Sequence, residues 1–219
     1  MKKMRAASAP RQRKARGMGH ERRGEILAAA RQLFVAEGYE TVTTRKLAER
    51  VGLSQTGLYV YFRSKEEILD ALCRDTFQQL VDRFRALAAQ DLDAHKRLRL
   101  LLKGYIEFGL EHPDEYQLTF MAGSSAPKFT HRKDLARPFD QQGIGIQSFL
   151  LFRDQISRAI DAGLLRRMDP TLAAQTIWAA AHGLVALLIA RPGYLWSERS
   201  ALIDTMVDTV IAGLQGPNS

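Results

Sequence analysis

A chain of 219 residues, 46% of them hydrophobic and with modest glycine and proline, is long enough for one or two domains with a real core and argues against extensive disorder away from the ends. Its single cysteine, Cys73, excludes an intramolecular disulfide, and with no secretory-type leader read at the N-terminus the expected setting is reducing and cytoplasmic. The net charge is +8, and residues 1–18 alone hold seven bases (Lys2, Lys3, Arg5, Arg11, Arg13, Lys14, Arg16) and no acid. A basic, disordered arm thus leads into a balanced body. Its natural partner is a polyanion, with a merely solvated tail as the plain alternative.

The first helix is predicted from a stripe of Ile26, Leu27, Ala30, Leu33 and Phe34, ended by Gly38. Thr43 or Thr44 can cap the next, which sets Leu47, Ala48 and Val51 against Arg45, Lys46, Glu49 and Arg50 and stops at Gly52. The stretch that follows, "LSQTGLYVYF" (Leu53 to Phe62), has the aromatic and β-branched content of a strand. Its flanks decide otherwise. Ser54 is a good N-cap, and "SKEE" (Ser64 to Glu67) is a capping box that opens another helix at once. A strand here has no partner nearby. As a short helix it turns Leu58 and Phe62 to the core and leaves Gln55, Thr56, Tyr59 and Tyr61 on other sides. Downstream, Ile68, Leu69, Leu72, Leu80, Phe84 and Leu87 continue a long helix. Leu98, Leu101, Leu102, Tyr105, Ile106 and Phe108 make another, stopped at His112-Pro113, and a short one covers about Asp114 to Met121. Residues 122–138 read as a loop, and helices follow at about 140–162, 170–191 and 197–214. The fold class is all-α.

The helix at 170–191 is apolar on nearly all sides, so one neighbour cannot cover it. A membrane span is the weaker reading, since Gln175, Thr176 and His182 interrupt it; a buried bundle helix is preferred. A four-helix bundle with two helices from each of two chains would bury Ala179, Ala186, Met206, Val207 and Val210. The alternative keeps both helices in one subunit's own core.

Two helices joined by a glycine turn, the second short and polar at its front, form the helix-turn-helix pattern, here at about 43–62. Its second helix enters the major groove with its leading residues toward the bases, and Ser54, Gln55, Thr56 and Gly57 supply small or hydrogen-bonding groups there. A glutamine can pair with adenine through two hydrogen bonds, and phenolic hydroxyls reach phosphate without charge. Catalysis is not expected: no Gly-rich phosphate loop, G-x-S-x-G or H-E-x-x-H occurs. No metal or cofactor is expected either, because the five histidines (20, 95, 112, 131, 182) form no pair with ligand spacing.

The stretch "ILAAARQLFVAEGYETVTTRKLAERVGLSQTGLYVYFRSKEEILDAL" resembles the N-terminal domain of TetR-type transcriptional regulators over about 50 residues without a gap. After the basic arm at 1–18, the resemblance implies a three-helix DNA-binding domain at 19–80 and a C-terminal helical bundle at 81–219 for effector binding and dimerisation. It implies phosphate contacts from Thr43 and Thr44, base reading by Arg45, a reading edge at Gln55, Thr56 and Gly57, contacts from Tyr59 and Tyr61, and a phosphate clamp at Lys65. "HPDEYQLTF" and the later "WAAAHG" look like the subgroup named for its Trp-His-Gly motif. Trp178 and His182 share one helix face, and one reading puts them in a ligand pocket with Tyr105, Phe108, Tyr116 and Phe120; the other makes them a core tryptophan and a satisfied histidine. The implied function is a ligand-responsive repressor that binds an inverted-repeat operator in double-stranded DNA as a homodimer, released by a small-molecule effector. An architectural DNA-binding protein with no effector is the alternative.

Overall fold

A computed structural model describes residues 19–121 and 142–216. The arm at 1–18 and the loop expected at 122–138 lie outside the described residues. Those described are helical: α1 Gly19–Glu37, α2 Thr44–Arg50, α3 Gln55–Tyr59, α4 Lys65–Ala88, α5 Ala94–Glu111, α6 Pro113–Tyr116 with a π-helical turn Gln117–Met121, α7 Ile144–Asp161, α8 Pro170–Ala190 and α9 Arg199–Leu214. No strand occurs among them, so the aromatic stretch at 53–62 is a short helix. The caps account for this. Thr43 accepts from the Lys46 N–H at 3.2 Å, Ser54 from the Gly57 N–H at 3.0 Å and Ser64 from the Glu67 N–H at 3.2 Å, so three helix starts follow in quick succession. Gly52, at φ +67°, makes the turn between the first two, a conformation costly for any other residue.

Two hydrophobic cores result. The first gathers α1 to α3 and the start of α4 around Ile26, Phe34, Leu47, Leu58, Phe62 and Ile68. The second gathers the rest of α4 with α5, α7, α8 and α9 around Phe84, Leu102, Ile156, Ile177 and Val207. They share α4: Ile68 to Cys73 belong to the first core, and Phe77, Leu80 and Phe84 to the second. The boundary expected at residue 80 therefore lies within one continuous helix. One residue crosses over. Leu118, in the π-helical turn, is buried in the first core.

On α8, Ala173, Ala174, Ile177, Ala181, Leu184 and Val185 are buried by neighbouring helices. Its opposite face is open: Leu172 is 56% exposed and Leu187 52%, with Ala179 exposed and Ala186 half-buried between them. Of the residues expected at a dimer interface, Met206 and Val210 are half-buried against their own chain's core. Val207 requires correction. It is 0% exposed, sealed into its own subunit beside Ile203 and Ile211, because the α9 stripe that looked available in sequence packs onto α5 and α8.

Candidate nucleic-acid interface and ligand cavity

The helix-turn-helix presents a connected polar edge. The Gln55 side-chain amide donates to Thr44 Oγ1 at 3.1 Å and to Tyr59 Oη at 3.4 Å, and the Thr44 and Tyr59 hydroxyls stand 3.3 Å apart. Hydrogen bonding from Thr44, then from Gln55, holds the Tyr59 phenol below its ordinary pKa. This triad joins α2 to α3 at the surface and orients a glutamine amide and a phenol together. Arg45 and Thr56 are exposed beside it, Arg45 in an ion pair with Glu49 at 3.0 Å. Thr43 and Ser54 spend their side-chain oxygens on capping. Gly57 keeps the first turn of α3 narrow, since a Cβ there would stand 3.2 Å from Ser54 Oγ.

Two expected contact residues are held by the fold. The Lys65 ammonium donates to the Tyr39 carbonyl at 2.8 Å and sits 4.2 Å from the centre of the Tyr39 ring, so it ties α4 to the turn after α1. Tyr61 is half-buried, and its carbonyl accepts from Arg23, whose guanidinium stacks 4.0 Å over Phe62.

In the second core lies a cavity of about 350 Å³, within the ordinary range for small-molecule sites. Of the six expected pocket residues, Tyr105, Phe120, Trp178 and His182 line it. Phe108 does not; it is buried near the His112 ring. Tyr116 does not either, yet it joins the others from behind. Trp178 Nε1 donates to Tyr105 Oη at 2.8 Å, the two tyrosine hydroxyls are 2.8 Å apart, and Tyr116 Oη is 2.6 Å from His182 Nδ1. Gly109 makes room for this, because a Cβ there would stand 2.8 Å from the Tyr116 ring and 2.6 Å from Val185. Burial pushes the Tyr105 hydroxyl up to about 12, raises Tyr116 further and lowers His182, so the tyrosines stay protonated and the histidine neutral near pH 7. Sequence reasoning missed the greasy walls: Phe77, Leu80 and Phe84 from α4, and Ile146, Phe149 and Phe152 from α7. It also missed Thr119, a 1%-exposed cavity residue whose hydroxyl has no oxygen or nitrogen partner among the described residues, only the Cys73 thiol nearby.

The cavity and the first core are physically joined. Thr119 and Phe120 line the cavity, while Leu118 sits in the first core, its carbonyl 4.0 Å from Cys73 Sγ. Arg31 of α1 pairs with Glu115 of α6 at 2.7 Å across the same junction. No cluster of metal-ligating side chains occurs among the described residues.

The profile described as "Bacterial regulatory proteins, tetR family" matches residues 26–72, and that described as "Tetracyclin repressor-like, C-terminal domain" matches residues 98–210, more than half of the chain. The chain belongs to the tetR family of bacterial regulatory proteins. Regulators of this family bind DNA through the N-terminal helix-turn-helix and are not enzymes. The C-terminal match is to the tetracyclin repressor-like domain rather than to the Trp-His-Gly subgroup by name. This tetR-family chain is 35% identical over 101 residues to the transcriptional activator FasR of Mycolicibacterium smegmatis, a stretch spanning 46% of each. It therefore matches about half of that relative's length. It is 28% identical over 154 residues to the transcriptional repressor KstR2 of Mycobacterium tuberculosis, covering 68% of this chain and 72% of that one. Its fold is similar to that of the TetR family regulator PfmR of Thermus thermophilus, with a TM-score of 0.67 at 23% identity over 87% of this chain and 99% of that one.

Proposed function

We propose that this protein is a ligand-responsive transcriptional repressor of the cytoplasm, which binds an inverted-repeat operator as a homodimer and lets go when a small molecule fills the cavity. The observation that carries the reading is the turn Gln117–Met121, which gives Leu118 to the DNA-reading core and Thr119 and Phe120 to the cavity wall. A ligand pressing on that wall acts on a segment both cores hold. To release DNA it must bind the form with displaced reading helices more tightly than the DNA-competent form. The triad Thr44, Gln55 and Tyr59 is the reading edge, with Arg45 and Thr56 beside it, Thr43 and Ser54 presenting the helix starts, and Lys65 and Tyr61 bracing the unit. The open face of α8, with Leu172, Ala179 and Leu187, supports pairing of two copies there. The Trp-His-Gly subgroup reading rests on Trp178, His182 and Gly183 and belongs to the same proposal. Residues 1–18 add sequence-independent attraction for phosphate.

Selection of bound sites from random double-stranded DNA, followed by sequencing, tests this directly. Dyad-symmetric half-sites are expected, because a two-fold dimer presents the same edge twice. Sites without dyad symmetry overturn the dimeric reading. The second reading, an architectural DNA-binding protein without an effector, has the cavity against it. A melting temperature that no small molecule raises would favour it.

A further inference from the structure

The four-member chain Trp178, Tyr105, Tyr116, His182 has a direction. An indole N–H can only donate, so Tyr105 accepts from Trp178. Tyr116 is 0% exposed and needs an acceptor inside the protein; Tyr105, 4% exposed at the cavity wall, has among the described residues no acceptor but Tyr116. One arrangement pairs both O–H groups within the protein: Tyr105 donates to Tyr116, and Tyr116 donates to His182 Nδ1. A proton on Nδ1 would turn that bond around and leave the Tyr105 O–H without a protein acceptor among the described residues. The relay thus favours neutral His182 with its proton on Nε2. That nitrogen has no protein partner among the described residues, and His182 lines the cavity. Among the described residues the titratable group shown against the ring is Tyr116, with Tyr105 hydrogen-bonded behind it, both protonated. Around this donor stand Trp178, 6.3 Å away between ring centres, and Phe120, 6.2 Å away. The described lining holds no Lys, Arg, Asp or Glu.

Resting on the reading of this cavity as the effector site, we infer that its ligand is an apolar molecule whose polar end is an uncharged hydrogen-bond acceptor, a ketone, ester or ether oxygen, docked on the Nε2–H of His182. The phenylalanine walls take the apolar body. A carboxylate is rejected for two reasons. Its charge would be desolvated against neutral donors alone, the His182 N–H with the Thr119 and Ser148 hydroxyls and the Gln175 amide, and no cation among the described lining. Among the described lining it could gain a true counter-ion only by protonating His182, which leaves the Tyr105 O–H without a protein acceptor.

Calorimetry with three probes of one chain length tests this: 2-undecanone, methyl decanoate and decanoate, each with the full-length protein. The ketone and ester are expected to bind with affinity flat between about pH 6 and 8.5, and decanoate about tenfold or more weaker. His182→Gln, which keeps an N–H donor near the same place, retains ketone binding, while His182→Phe loses about tenfold. Decanoate binding tighter than the ketone, and more so as pH falls, overturns the inference while leaving the effector site standing. Ser148→Phe, which fills the cavity, separates the two ideas from the other side. Ketone binding that survives it, or no binding of any probe to the wild type, removes the effector-site reading and this inference with it.

Discussion

Leu118 and Thr119 are neighbours in the chain, and their side chains are sealed into two different cores. Leu118 is 5% exposed among residues of α1 and α4, and Thr119 is 1% exposed at the cavity wall. A helix whose successive residues face two domains cannot shift at one without disturbing the other. Leu118→Ala should cost about 2–4 kcal/mol by leaving a hole in the first core. It should also weaken communication. Ligand binding at the cavity is expected to persist, while the drop in operator affinity that ligand causes shrinks severalfold. Fluorescence anisotropy of labelled operator, with and without the cavity ligand, measures this. An undiminished response would place the coupling elsewhere.

The reading edge makes a separate prediction. Gln55→Ala removes the amide that joins Thr44 to Tyr59 and that the proposed function turns toward the groove. Discrimination at one position of each half-site should relax, by about 1–3 kcal/mol. Tyr59→Phe should instead lower affinity for all sequences alike, as loss of a phosphate contact does. Deleting residues 1–18 should flatten the dependence of affinity on salt. A Gln55→Ala variant with unchanged site preferences removes that residue from base reading.

Dimerisation is tested on α8 rather than on Val207. A charge at Val207 enters a fully buried core, so Val207→Glu is expected to unfold the C-terminal bundle, read as lost helicity and melting transition. Leu187→Glu lies on the open face and should leave helicity intact while splitting the dimer. Sedimentation at micromolar concentration checks it; a folded, still dimeric Leu187→Glu moves the interface off this face.

His182 makes stability depend on pH. Burial depresses its pKa below the ordinary 6.5, so the unfolded chain binds a proton more readily than the folded one. Its contribution is complete above about pH 6.5 and is lost as pH falls through the folded value. The melting temperature of wild type minus that of His182→Gln should therefore fall on acidification from pH 7.5 to 5.5. A flat difference would mean that the histidine is solvated.

Much of this was legible beforehand because it is local. Caps at Thr43, Ser54 and Ser64 and stops at Gly38 and Gly52 punctuate helices within a few residues, and they outvoted the strand-like composition of 53–62. What periodicity could not supply was the destination of a face. Phe84 and Phe152 obey the same helical spacing whether they close a core or wall a cavity. Tyr116 looked like a pocket residue and stands one layer behind, holding His182. Val207 shares its stripe with residues that are half-buried, and only the packing of α9 tells them apart. Leu118 belongs to an apolar run in which nothing marks it as a guest in another core.

Helix α4, rooted in both cores, bears on any attempt to graft this protein's DNA specificity onto a different sensor. A cut in the connection before α5 would deliver the first core with its own half of α4 and also with Phe77, Leu80 and Phe84, which wall the cavity of the second. It would leave behind Leu118, which is buried in the first core. A working transplant has to take the first core's halves from both sides of that cut, so the interchangeable part is a surface in space and not a segment of sequence.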